Sequence, residues 1–174
     1  MKKIGFIGLG TIGYPIAGHI SNFFDINVFN RTKKKALEWS TEFNGKISSS
    51  IPELASKSNI LLICLSKDKD IEEVMLGDHG VFDHLKEGTI IIDHSTTSAD
   101  LAIKLNQVLA KKGSFYLDAP ISGGEEGAKK GTLSVMVGGT LEAYKDISNL
   151  LDCYSDFHKY MGLSGNGQLT KMIN

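Results

Sequence analysis

The sequence predicts an α/β fold, a mostly parallel sheet with helices on both faces, and three observations carry that prediction. Short apolar runs at 3–7, 60–65 and 89–93 are too continuous to alternate, as expected of strands covered on both sides. Segments of helical periodicity lie between them, so strand and helix follow one another repeatedly. The opening, KKIGFIGLGTIGYPIAGHI, runs from a strand straight into a glycine-rich turn and then a helix.

Residues 3–7 form the first predicted strand, Gly8-Leu9-Gly10-Thr11-Ile12-Gly13 the turn, and 12–20 the first helix. A second strand, 25–29, ends at Asn30-Arg31-Thr32. This order is what the dinucleotide fingerprint of a Rossmann-like NAD(P)-binding domain requires. Gly8 permits the tight turn, Gly10 lets the backbone approach a pyrophosphate, and Gly13 lets the helix pack on the strand. The N–H groups and positive dipole end of the helix would face the phosphates.

An acidic residue usually closes the second strand and holds the adenosine ribose of NAD. Arg31 stands there instead, between Asn30 and Thr32, and no carboxylate occurs from Ile26 to Ala36. A guanidinium fork matches a phosphate dianion, so the reading is NADP over NAD. At least two of Lys33, Lys34 and Lys35 are read as a solvated helix start.

The helix at 33–41 is predicted to turn Ala36, Leu37 and Trp39 inward, and Ser50 or Ile51 to cap the next helix, with Pro52 in its first turn. A strand at 60–65 precedes a helix at 70–76. Another at 89–93 precedes a helix ending at 110, and a further strand spans 114–117. Ligands on such sheets bind beyond the carboxyl ends of the strands, which singles out 8–13, 30–32, 65–68, 93–96 and 118–124. Leu65, Ser66 and Ser95 or Thr96 are therefore candidates for the ribose and nicotinamide. Asp68 is another, with an N-cap as its alternative role. His94 has no visible partner and receives no catalytic role.

Asp118 to Thr132, DAPISGGEEGAKKGT, is dense in small residues directly after a strand. It reads either as a backbone cradle for a small anion, built on Ser122, Gly123 and Gly124, or as a plain glycine-rich surface loop. A strand at 133–137 and a helix at 140–151 follow, then a short strand or turn holding Phe157, His158 and Tyr160. A last helix begins near Gly167, on which Lys171 and Asn174 share a face. Taken alone, Lys171 reads as a solvated lysine.

Nineteen basic and 20 acidic residues give a formal charge of -1, and so no general reason to expect nucleic acid or a membrane surface as partner. Cys64 sits in an apolar run and Cys153 has no partner at a diagnostic spacing. Neither disulfide nor metal-site spacing is present. No stretch approaches transmembrane length or a cleaved leader. A soluble, cytoplasmic protein is expected.

The whole chain resembles the N-terminal part of the beta-hydroxyacid dehydrogenase family, which includes 3-hydroxyisobutyrate dehydrogenase, tartronate semialdehyde reductase, glyoxylate/succinic semialdehyde reductases and, distantly, 6-phosphogluconate dehydrogenase. The motifs that carry the resemblance are GFIGLGTIGYPIA, with Ile12 and Ile16 where methionine is more usual, NRT, DAPISGGEEGAKKGTLSVMVGG, and the glycine turn leading to Lys171. The resemblance implies a catalytic Lys171, Ser122, Gly123 and Gly124 as binders of a substrate carboxylate, and Asn174 as polar support. It further implies an NADP-dependent interconversion of a small 3-hydroxy acid and its semialdehyde. The rival readings are a noncatalytic NADP-binding module and an enzyme acting on 6-phosphogluconate. Residues 1–162 would be the NAD(P)-binding domain and 163–174 the start of an interdomain helix. Family members continue into a helical second domain and form homo-oligomers, so the chain is expected to be a cofactor-binding fragment, inactive by itself.

Overall fold

The computed structural model describes residues 2–174. Strand β1 (Ile4–Ile7) lies in the interior of the sheet, with β2 (Ile26–Phe29) on one side and β4 (Ile60–Ile63) on the other, all parallel. Beyond β2 lies the two-residue β3 (Lys46–Ile47); beyond β4 come β5 (Ile90–Asp93) and β6 (Phe115–Asp118), again parallel. The helices α1 (Gly13–Ser21), α2 (Lys33–Glu42), α3 (Ile51–Lys57), α4 (Asp68–Leu76) and α5 (Ala99–Ala110) alternate with these strands. This is a Rossmann-like architecture.

The apolar strands do not alternate because each face has its own core. Ile60 and Leu62 pack with Phe6, Ile16 and Trp39, whereas Leu61 and Ile63 pack with Leu54, Ile71 and Leu105. Helix α2 has a narrower inner stripe than predicted: Ala36 and Trp39 are buried, but Leu37, one position off that stripe, is 59% exposed. Ser50 caps α3 by accepting from Glu53 N at 3.2 Å.

The segment 118–132 is not a plain surface loop. Strand β6 runs on into β7 (Ile121–Ser122), and both pair antiparallel with β8 (Leu133–Gly138): Asp118 lies opposite Gly138, and Ser122 opposite Ser134. Helix α6 (Gly124–Lys130) follows directly, braced by Lys129–Glu125 and Lys130–Glu126 pairs. After α7 (Leu141–Leu151), the expected short strand or turn is the eight-residue β9 (Ser155–Gly162), parallel to β8. The chain closes with α8 (Asn166–Met172). The helix ends before Asn174, so the predicted shared helical face with Lys171 is lost, although Asn174 N still donates to Lys171 O at 3.4 Å. Among the described residues, no helix is long and apolar enough to cross a membrane.

Candidate functional site

The three glycines of the opening turn meet different demands. Gly8 has φ +100°, and a Cβ there would lie 2.2 Å from Cys64 O, so the turn also lets β1 and β4 close together. A Cβ on Gly13 would meet Gly8 O at 2.0 Å, so bare backbone lets α1 dock on β1. At Gly10 a Cβ would meet nothing within 4 Å. The protein's own packing therefore does not require a glycine there, and the space beside it is open. Helix bonding begins at Gly10 O, which accepts from Tyr14 N at 3.0 Å. Ile12 supplies no side-chain cap and the first turn holds no acid, leaving the N-terminal N–H groups suited to an anion.

In front of this turn opens a cleft of about 630 Å³. Of the predicted cofactor residues, Gly8, Gly10, Asn30, Arg31, Thr32, Leu65 and Ser66 line it. Lys35 alone of the three lysines joins Arg31 there, and Lys34 turns toward Glu38 at 3.8 Å. The opposite wall comes from α4 and the residues after it, including Glu73, Asp78 and His79. Strand-end reasoning missed that wall, because it depends on how α4 lies across the sheet. Asn30 is a brace as well as a lining residue: its Oδ1 accepts from Leu9 N at 2.9 Å and its Nδ2 donates to Thr32 O at 3.0 Å.

Leu9, Thr11, Ile12 and Gly13 do not line the cleft. Leu9 is fully buried and its amide is taken by Asn30, so its predicted contact with the nucleotide is corrected to a core role. Ser95 is buried, and its hydroxyl accepts from Leu65 N at 2.9 Å, bracing the segment after β4. Thr96, beside it, is exposed. Asp68 is not the cap of α4, where Lys67 holds the N-cap position. Its carboxylate instead accepts from Ser98 Oγ at 2.7 Å, tying α4 to the cap of α5.

Outside this cleft, sequence-distant candidates meet. Asn174 Nδ2 donates to Ser122 Oγ at 3.2 Å, and Lys171 lies three residues earlier, half-buried at the end of α8. Among the described residues, Lys171 Nζ has no hydrogen-bond or ion-pair partner. Gly123 and Gly124 adopt φ 125° and φ 59°, so the chain turns sharply at Ser122 and enters α6 without side chains in the way. Among the described residues, no group of three or more His, Cys, Asp or Glu could hold a metal ion.

Beneath these groups lies a buried polar layer. Asp93 and Asp118 are register partners on β5 and β6, and both are fully buried. Burial pushes Asp93 up to about 6, against hydrogen bonds from Ser95 and Tyr116 that favour its ionised form. Burial also raises Asp118, while backbone N–H groups of Gly165, Gln168 and Gly167 oppose the shift. Burial pushes the Cys64 thiol up to about 12, which makes it a poor nucleophile. His94 sits between Ala119 O at 2.7 Å and Tyr154 Oη at 2.8 Å. A carbonyl only accepts, so Nδ1 carries the proton and Nε2 receives the tyrosine hydroxyl.

This histidine gives a pH signature. Burial lowers His94 from 6.5 to about 4. Between those values the unfolded chain binds a proton that the folded one excludes. The fold therefore loses stability as pH falls through this window, by on the order of 3 kcal/mol. Asp93, raised from 3.8 to about 6, acts in the opposite sense: its contribution is full below 3.8 and is lost as pH rises through 6. His94→Asn keeps a donor for Ala119 O and cannot ionise. Its stability relative to wild type should improve as pH is lowered from about 7 to about 4.5, measured by urea midpoints. A pH-independent difference would remove His94 as the cause.

Comparison with known proteins gives the following relationships. Residues 3–162 match the family described as the NAD binding domain of 6-phosphogluconate dehydrogenase. An uncharacterized oxidoreductase of Shewanella frigidimarina is 38% identical over 175 residues, covering 100% of this chain and 60% of the relative. The Mycobacterium tuberculosis 3-hydroxyisobutyrate dehydrogenase, solved with L-serine, superposes with a TM-score of 0.93 at 26% identity, covering 100% of this chain and 59% of that one. Psf3, solved in complex with NADP+ and 2-OPP, gives a TM-score of 0.93 at 31% identity, covering 98% and 61%. The chain thus spans about 60% of the length of these proteins.

Proposed function

The chain belongs to the beta-hydroxyacid dehydrogenase family of NAD(P)-binding oxidoreductases, and from that premise we propose that it is the cofactor domain of an NADP-dependent enzyme interconverting a small 3-hydroxy acid and its semialdehyde. The observation that carries this reading is the Asn174–Ser122 hydrogen bond, which joins the glycine-rich segment to the end of the lysine helix. L-serine, present with the tuberculosis relative, itself has a hydroxyl on the carbon beta to a carboxylate, which supports the substrate class.

In this reading Ser122 and the backbone of Gly123 and Gly124 receive the acid's carboxylate. Lys171 hydrogen-bonds the reacting oxygen, protonates it during reduction and takes the proton back during oxidation. Asn174 orients Ser122 and lends polar support. Gly8, Gly10 and the start of α1 would hold the pyrophosphate, and Arg31 with Lys35 would hold the 2′-phosphate that separates NADP from NAD. When bound, the nicotinamide supplies the hydride. A helical second domain following α8 would complete the substrate cleft, exclude water from it and mediate assembly into a homo-oligomer.

The test is NADPH oxidation by the complete enzyme over a panel of short semialdehyde acids, beside nucleotide titration of Arg31→Asp. At least one acid should turn over. The variant should lose about tenfold or more in NADP affinity, the worth of a charge-assisted pair, and less in NAD affinity. NADP binding without turnover on any acid would defeat the substrate class. Equal losses for both nucleotides, or tighter NAD binding in wild type, would defeat the NADP assignment.

A further inference from the structure

Lys171 performs proton transfer only if α8 is held still, yet the helix is seven residues long and its N-cap, Gly165, has no side chain to hold it. The restraint comes from the sheet. Asp118 Oδ1 accepts from Gly165 N at 2.8 Å, and its Oδ2 accepts from Gln168 N at 3.0 Å. Gln168, buried at 1% exposure, donates from Nε2 to Ser95 O at 2.8 Å and accepts at Oε1 from Thr97 N at 3.1 Å. A Cβ on Gly167 would lie 2.5 Å from Asp118 O and 2.6 Å from Met136 O, so the first turn rests directly on the backbones of β6 and β8.

We propose that Asp118 is the positioning residue of the reaction, clamping the start of α8 so that Lys171, one turn beyond Gln168, keeps its place relative to Ser122. The proposal rests on the reading of Lys171 as the proton-transferring group. Asp118 and Ser122 lie on the same β6–β7 line along β8, so one strand carries both the substrate contact and the clamp for the lysine helix. Gln168 ties that helix to the 95–97 turn, which also fixes the end of β4 through Ser95. Packing alone does not call for this chemistry. A buried carboxylate is costly unless matched by donors, and here two lie side by side where apolar residues would fill the space. The cost is met with directed N–H bonds that specify where a helix begins.

The experiment compares Asp118→Asn, Gly167→Ala, Lys171→Ala and Asp118→Asn/Lys171→Ala in the complete enzyme. Gly167→Ala leaves every charge in place and displaces the helix start by contact, so it decides the matter if Asp118→Asn does not fold. Single-turnover hydride transfer should slow by about ten- to a hundredfold in Asp118→Asn and in Gly167→Ala, the scale of a misplacement near 1 Å. NADP affinity should stay within about twofold of wild type. Amide exchange should quicken at Gly165 and Gln168 and not in β1 or β4. In the Lys171→Ala background, Asp118→Asn should change the residual rate by less than about twofold, because its route of action is already gone. Wild-type transfer in the folded variants, or an equal slowing with and without Lys171, would overturn the proposal. A fully active Lys171→Ala would instead overturn the proposed function on which it rests.

Discussion

Replacing Lys171 with alanine in the complete enzyme is expected to slow hydride transfer by roughly 10²–10⁴-fold, the usual contribution of a positioned acid–base group. NADP binding should be untouched, since the cleft at the glycine turn is lined by residues up to His79 and Lys171 is not among them. The lysine is free to act because no other side chain engages it among the described residues, while its neighbour Asn174 is already turned to Ser122. The 174-residue chain on the same semialdehyde forms a third arm, expected to bind NADP without appreciable turnover. Wild-type turnover by the alanine variant would take Lys171 out of the reaction.

Gly10→Leu should abolish most NADP binding, by about a hundredfold or more, which corresponds to roughly 2.7 kcal/mol. It should leave the urea midpoint close to that of wild type. The two readouts should separate because nothing in the protein lies within 4 Å of a Cβ at this position, so the added side chain starts in open space on the side proposed for the nucleotide. Gly13→Ala is the contrast: its Cβ would meet Gly8 O at 2.0 Å, and overpacking of that kind costs about 1–3 kcal/mol of fold stability. An unchanged NADP affinity in Gly10→Leu would separate the turn from the nucleotide.

The glycine turn and the elements around it were legible in the sequence because their signals are local. Strand, turn and helix follow within twenty-odd residues, and Arg31 stands where an acid would otherwise show. The two-residue β3 was too short to leave a pattern. Ser122 was singled out by its motif, but glycine density hid the fact that it ends a strand just ahead of a helix. β9 read only as a short strand or turn because Asp156, Lys159 and the aromatics around them break any alternation on an edge strand. Least legible were Asp118 and Gln168. Their hydrogen bonds join residues about fifty and seventy positions apart, and no periodicity records such a pairing. Ser95 drew attention as a strand-end hydroxyl, yet that hydroxyl serves the protein's own backbone.

The order of the strands has a consequence for how such proteins diverge. Every residue lining the cleft at the glycine turn falls between Ile7 and His79, whereas the groups proposed for the acid and for the proton fall between Ser122 and Asn174. The sheet grows outward from β1, first through β2 and β3 and then through β4 to β8, so the later segment is added at an edge. Under the proposed assignment, inherited change after Asp118 can therefore alter the choice of acid while the genetic text for the glycine-turn cleft stays as it was.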